Sequence, residues 1–507
     1  MKKYKNILFV ILGLVLTNCN LEEEPPFLAN ENVYATGEDA KKALTGIYQS
    51  FADNDYYGMK FIFLANMNSG FGITRAQGNK NTSVPNVTLA SLKPTSAISE
   101  INDSWSAIYS SIARSNDAIQ SAVVSTNPIL EDDMVINDVV GQAYFLRAFN
   151  YFNLVRMWGE VPLRLVPTTK ENIHLGKSSI RDIYAQIISD TKRSQELMNG
   201  SVGNNTIKPE AAAMLLAKVY MTLATAPTEQ QEIGLNYWQM AYDEAIKVYG
   251  NYALVSDYDA LFQTATSDNT EESIFEIQSS EQASMDHVKN FTPSHKYLEV
   301  STWGKFYVHA DVYDQHAITY PSDPRLASTY IGDFINQVTG NWSRRYPDIT
   351  WRSNFNNAFP YVIKLGEKNQ SVTSTFTNKN FIIYRYSDLL LMLAEISNEL
   401  QNGQQLAYVT EVLSRVGLTP QAGYLGDQGS FRDAIMKEYQ FELAFEGHEW
   451  FNNRRRGYDY FLNNVIIPHN TYVSFKPNVD VTLDLNEENV MYIPIPQIEI
   501  DGNQLID

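Results

Sequence analysis

Apolar residues recur three and four positions apart along much of this chain, the spacing of one face of an α-helix. The clearest run predicts a helix over 132–158, where Val140, Ala143, Tyr144, Arg147, Tyr151 and Leu154 share a face. Gly159 supplies its stop and Pro162 bars continuation. The same reading predicts helices over 36–52, 98–124, 178–198, 207–225, 235–249, 385–401, 404–416 and 430–451. Between 262 and 382 the periodicity fades and Gly, Asn, Ser, Thr and Pro become dense, so that segment reads as loop-rich.

Two neighbouring helices have repeat character. Ala213, Leu216, Ala217 and Tyr220 lie on one face of the first, and Trp238, Ala241, Tyr242 and Ala245 on one face of the second. Small residues at a crossing with large ones around it resemble a tetratricopeptide-type hairpin, and 385–416 reads as another, although no clean 34-residue period runs through the chain.

Aromatics divide along the same lines. Trp105, Trp158, Trp238 and Trp450 fall in or at the ends of helical runs and read as core. Trp303, Tyr307, Tyr320, Tyr330, Trp342, Tyr346, Trp351 and Phe355 stand singly in the loop-rich segment. A shorter irregular stretch, 66–96, carries Asn66, Asn68, Phe71, Arg75, Gln77 and Asn79 and reads as exposed. Loops on a helical scaffold are where binding residues concentrate.

The first residues stand apart from the fold. Lys2, Lys3 and Lys5 precede an apolar run from Ile7 to Leu16, too short to span a bilayer and typical of an export signal. The lone cysteine, Cys19, follows it in Leu16-Thr17-Asn18-Cys19, which resembles a bacterial lipobox, with Asn18 in place of the usual small residue. Residues 1–18 therefore read as a lipoprotein signal, Cys19 as the lipid-attachment site, and 19–32, with Pro25 and Pro26, as a tether. The acidic Glu22, Glu23 and Glu24 resemble a surface-export address. The formal charge is −19, and losing the signal's lysines makes the remainder more acidic still, so nucleic acid and anionic lipid headgroups are poor partners. With no cysteine pair, stability must come from burial. Tyrosine leads the aromatics with 31, which suits both a helical core and a surface that stacks on ligands.

Four stretches together resemble the SusD/RagB family of surface lipoproteins. They are QAYFLRAFNYFNLVRMWGEVPL (Gln142 to Leu163), RYSDLLLMLAEISNE (Arg385 to Glu399), IMKEYQFELAFEGHEWFNNRRRG (Ile435 to Gly457) and YIPIPQIEIDGNQ (Tyr492 to Gln504). The tripeptide Asp323-Pro324-Arg325 adds a fifth, and the order holds across the chain. Departures from the family pattern are Tyr439, the pair His448 and Glu449, and Gln504 after Asn503. The resemblance implies a mainly α fold, one domain over 33–507, with four tetratricopeptide-like helix pairs as scaffold and a loop-rich, ligand-binding region with minor β. It also implies a SusC-type TonB-dependent transporter as partner and an outer-membrane location facing the cell exterior.

Charged positions on the helices admit a chemical and a structural reading. Glu438, Glu442 and Glu446 recur every fourth residue, a stripe that could bind a metal or divide acid and base roles. Apolar Phe441, Leu443, Ala444 and Phe445 interleave with them, while Arg147 lies on an apolar face and Arg385 and Glu395 flank another apolar run. Buried charges require partners, so these residues are expected to form structural ion pairs. The His309 and His316 pair lacks a known zinc spacing, and no HExxH, GxSxG or phosphate-cradling glycine loop occurs. A calcium site in the acidic 480–488 loop has no EF-hand pattern behind it. No catalytic residue, metal or cofactor is assigned.

The expected function is non-catalytic capture of an extracellular oligosaccharide and its delivery to the transporter. Sugar rings offer C–H faces to Trp or Tyr and hydroxyls to Asn and Arg. Trp303, Trp342, Trp351 and Tyr346 are the candidate stacking residues, with Asn68, Arg75 and Asn79 as polar partners. The competing role for each aromatic is pinning its loop to the scaffold. Alternatives are peptide uptake by the same family or a surface glycosidase, whose paired carboxylates a chain with 58 acidic residues leaves open.

Overall fold

A computed structural model describes residues 33–73, 88–280, 285–294, 296–345, 360–472 and 482–506. The helices of two turns or more are α1 (Gly37–Ala52), α2 (Lys60–Met67), α3 (Ser99–Ser121), α4 (Glu131–Trp158), α5 (Ile180–Leu197), α6 (Pro209–Thr225), α7 (Tyr237–Ala245), α8 (Ala310–Thr319), α9 (Tyr386–Leu400), α10 (Gln405–Arg415) and α11 (Gln428–Glu442). Caps fix several starts. The side chains of Thr36, Ser179, Asn236 and Asp427 each accept a first-turn backbone N–H, of α1, α5, α7 and α11 respectively.

Helix α4 is buried almost all round, because α1, α3 and α5 pack on it from different sides. From there the packing passes in series through α5 on α6, α6 on α7, α7 on α9 and α9 on α10, with α11 against α9. Gly141 permits one close crossing: a Cβ there would lie 2.8 Å from the backbone nitrogen of Met198, just past α5. The main apolar cluster reaches from Tyr34 to Ile493, so both ends of the described chain feed one core. No helix among the described residues is long and apolar enough to cross a membrane.

The strands are short. They are β1 (Gly72–Ile73), β2 (Ser273–Ile277), β3 (Tyr307–Val308), β4 (Tyr330–Ile331), β5 (Asp333–Ile335), β6 (Trp342–Arg345), β7 (Tyr361–Val362) and β8 (Phe381–Arg385). They form an antiparallel sheet in the order β1-β3-β7-β4 and two ribbons, β2-β8 and β5-β6.

Two expectations need correction and a third gains detail. The helix predicted over 430–451 ends at Glu442, and a turn separates it from a short helix, Glu449–Arg454. Phe445 and Gly447 both have positive φ in that turn, and the Glu449 carboxylate accepts the Phe445 N–H, so the apolar spacing continues while the helix does not. The segment 262–382 carries the expected minor β, as short strands, together with α8, and its Tyr307, Tyr320 and Tyr330 are buried. Tyr307 stacks on Tyr361 with ring centroids 4.2 Å apart and donates its hydroxyl to that of Tyr361 at 2.8 Å. Finally, Asn66, Asn68 and Phe71 lie in the interior rather than in an exposed loop, because α2 is buried from Phe61 to Met67.

Candidate functional site

Trp303 is held in the open by its own backbone. Its N–H donates to the Lys289 carbonyl and that of Lys305 to the Asn290 carbonyl, both at 2.8 Å, while the Thr302 hydroxyl donates to the Pro293 carbonyl at 2.6 Å. Gly304 between them has φ 54°, and a Cβ there would meet the Ser294 nitrogen at 2.7 Å and the Tyr361 ring at 2.8 Å. Only glycine lets the loop lie so flat, and the indole beside it stays 53% exposed. The ammonium groups of Lys289 and Lys305 sit 5.0 and 4.9 Å from its ring centroid, within cation–π range.

Trp342 opens β6 and is 49% exposed. It pairs across the hairpin with Ile335, another exposed apolar side chain. The turn is built by Asn336, whose side-chain oxygen accepts the N–H groups of Val338 and Thr339 at 2.9 Å, and by Gly340 at φ 69°. The loop that presents Trp303 also seats this hairpin. Lys296 accepts the Gln337 N–H at 2.9 Å, and Phe334 packs edge-on against Tyr297 at 5.2 Å. Gln370 donates to the Tyr297 carbonyl at 3.0 Å, fixing the other side.

The structure therefore places Trp303 and Trp342 on two elements secured by one loop, with the exposed polar residues Lys296, Gln337, Thr339 and Asn341 on the same segments. Asn68 is not among them. It is 2% exposed, at the end of α2, and its amide donates to the Leu64 carbonyl at 2.9 Å, which removes it from any ligand-facing role. Cys19, Arg75, Asn79, Tyr346 and Trp351 lie outside the described residues. Lys289 and Lys305 were not singled out in the sequence, since nothing local tells a ring-flanking lysine from any other. The hairpin had a readable turn signal, the stretch from Asn336 to Gly340 between Ile335 and Trp342.

Comparison with known proteins settles the family. Residues 228–507 match the model described as the SusD family, and residues 21–221 match one described as "starch-binding associating with outer membrane". The chain belongs to the SusD family. SusD-like protein P2 of Formosa agariphila is 27% identical over 544 residues, spanning 99% of this chain and 98% of that one. The crystal structure of a SusD homolog from Bacteroides thetaiotaomicron superposes with a TM-score of 0.77 at 21% identity, covering 94% of this chain and 97% of that one. A structure described as a laminarin-binding SusD-like protein superposes at 0.69 and 18% identity, covering 93% and 98%. The mainly α architecture described above is thus the SusD fold.

Three of the stretches that suggested SusD, those holding Asp323 and Arg325, Arg385, and Glu438 to Glu446, meet in a buried ion network. Arg385 donates to Glu272 at 2.8 Å, Glu442 at 2.5 Å and Glu446 at 2.7 and 2.8 Å. Arg325 reaches Glu438 at 2.6 Å, Glu442 at 2.9 Å and Asp323 at 2.7 Å. Arg415 joins Glu272 and Glu442, and Lys364 pairs with Glu446 at 2.6 Å. Elsewhere Arg147 forms a two-pronged pair with Asp190 at 2.7 Å, and Glu395 receives Arg455 and Arg456. Both oxygens of Glu442 are committed to guanidiniums, which leaves it no capacity as a general base.

Burial works to raise the Glu446 carboxyl, but Arg385 and Lys364 outweigh it and bring it down to about 2. For Glu442, burial is likewise outweighed, by Arg415, Arg385 and Arg325, and the group lies well below the ordinary carboxylate range. A carboxyl whose pKa falls on folding stabilises above its unfolded value and loses that contribution as pH drops through the folded one. The melting temperature is therefore expected to fall as pH goes from about 4.5 to about 2, and Glu446→Gln is expected to flatten part of that decline. Thermal scans across this window check it; a wild-type profile that stays level would contradict the pairing.

Proposed function

We propose that this SusD-family chain is a non-catalytic surface lipoprotein that captures an extracellular oligosaccharide and hands it to a SusC-type TonB-dependent transporter. The observation that carries the reading is the pair of half-exposed indoles, Trp303 and Trp342, on loops secured to a rigid helical scaffold. An indole face accepts the C–H bonds of a pyranose ring, and the neighbouring amide, hydroxyl and ammonium groups match sugar hydroxyls. The laminarin binding named for one structural relative supports the same ligand class. Trp351, Tyr346, Arg75 and Asn79 belong to the same proposal as further ligand contacts.

In this reading Cys19 carries the lipid that holds the chain at the outer membrane, facing outward, and 19–32 is a tether about which the body, a single domain over 33–507, swings as a lid. Delivery draws no energy from this chain; the transporter supplies it through TonB. Isolating the full chain from native membranes tests the partnership. A TonB-dependent barrel is expected to co-purify in stoichiometric amount, and Cys19→Ser is expected to release the protein from the membrane fraction. Recovery without any such barrel would overturn the delivery step while leaving glycan binding to be measured separately.

A further inference from the structure

Outside the indole surface, one cluster of side chains has the composition of a metal site. His309, Asp311 and His469 each bring a ligand-type atom within 4.8 Å of the others, and all three are more than nine-tenths buried. The two imidazoles lie with ring centroids 3.7 Å apart, and His309 Nδ1 contacts the Asp311 carboxylate. His316, the histidine that stands nearest to His309 in sequence, is elsewhere, bonded to Asp323 at 2.9 Å.

The surrounding chain holds these groups in place by contacts of its own. His309 directly follows β3 and donates its N–H to the Phe71 carbonyl at 2.9 Å, next to β1. Asp311 sits in the first turn of α8 and accepts the Val312 N–H at 2.9 Å. His469 comes from a separate short helix, Ile467–Thr471. Asn470 exchanges hydrogen bonds with the backbone of Leu483 at 2.8 and 2.9 Å, and the Tyr472 hydroxyl donates to Asp314 of α8. Two pieces of chain distant in sequence, 309–311 and the helix carrying His469, thus converge on one point.

We propose that His309, Asp311 and His469 bind a divalent zinc-like cation that ties the sheet edge at β1 and β3 to the Ile467–Thr471 helix. Two imidazole nitrogens and one carboxylate suit Zn²⁺ and its first-row neighbours, whereas Ca²⁺ and Mg²⁺ require an oxygen shell. Three protein ligands leave one position of a tetrahedral ion for water or a further group. The role is structural. Strand β1 leads directly into the segment carrying Arg75 and Asn79, so the ion would brace the root of that segment, independently of which ligand the surface takes.

The test uses the full chain, purified in detergent and stripped with chelator, then titrated with Zn²⁺ or Ca²⁺ alone. One equivalent of Zn²⁺ is expected to bind and, at a hundredfold excess over its dissociation constant, to raise the melting temperature by about 3 °C, with no response to Ca²⁺. His469→Ala and Asp311→Asn are each expected to weaken Zn²⁺ binding by about 100-fold or more. The partly exposed His174→Ala is expected to leave it unchanged. Because buried substitutions can loosen a fold, Co²⁺ gives a second readout on the wild-type chain, with visible d–d bands of a four-coordinate nitrogen and oxygen site that Zn²⁺ abolishes. Absence of stoichiometric Zn²⁺ binding, an equal response to Ca²⁺, full binding by His469→Ala, or octahedral-type Co²⁺ spectra would each overturn the proposal.

Discussion

Arg385→Ala is expected to lower the unfolding free energy by about 3–5 kcal/mol, the usual result of removing one partner from a buried, hydrogen-bonded ion pair. The side chain is fully buried and its fork satisfies Glu272, Glu442 and Glu446, which come from β2 and its approach, from α11, and from the turn beyond α11. Without it, Glu446 keeps Lys364 and Glu442 keeps Arg415 and Arg325, but three carboxylates share too little positive charge in a medium that screens poorly. Arg385→Lys is expected to recover only part of the loss, since one ammonium cannot reproduce the planar fork. An exposed pair offers the contrast: Arg193→Ala, which breaks the Arg193–Glu196 contact, is expected to cost below about 0.5 kcal/mol. Urea denaturation followed by circular dichroism measures all three. A loss under about 1 kcal/mol for Arg385→Ala would mean that packing alone fastens α9 to α11.

Trp303→Ala and Trp342→Ala are each expected to weaken oligosaccharide binding by about 2 kcal/mol, or about 30-fold, with little change in melting temperature. The two effects separate because half of each indole faces solvent, so its removal takes little from the core. For Trp303 the backbone bonds to Lys289 and the glycine turn survive the substitution, and the loop keeps its path. Ile233, 97% exposed ahead of α7, supplies a control: Ile233→Ala is expected to leave affinity unchanged. If Trp303→Ala instead lowers stability by several kcal/mol, the indole pins its loop and the ligand assignment fails.

The long helices were readable because their apolar spacing persists over several turns. The prediction of 132–158 against the observed Glu131–Trp158 is the clearest case. The same signal misled at α11, where Phe441 and Phe445 keep the helical spacing although Phe445 occupies a left-handed turn. Two-residue strands such as β1, β3, β4 and β7 are too short for alternation to register, so their sheet was legible only as loop-rich sequence. Asn68 illustrates another limit. Asparagine reads as exposed by type, yet at the end of a helix buried from Phe61 to Met67 it turns its amide to a carbonyl four residues back and stays buried. Of the ion network, the acidic stripe and Arg385 could be read as needing partners, but Glu272, Lys364 and Arg415 carry no local mark of the role. The cluster at His309 has the same cause: His469 lies 160 positions away, and only folding brings the two imidazoles together.

The most direct test of the binding role is calorimetric titration of a panel of defined oligosaccharides into the wild-type chain and into the Trp303→Ala, Trp342→Ala double substitution. The account predicts that at least one glycan binds the wild type and that the double substitution reduces its affinity by more than 100-fold while the fold persists. A glycan that binds both chains equally, or a wild-type chain that binds no glycan, would contradict it.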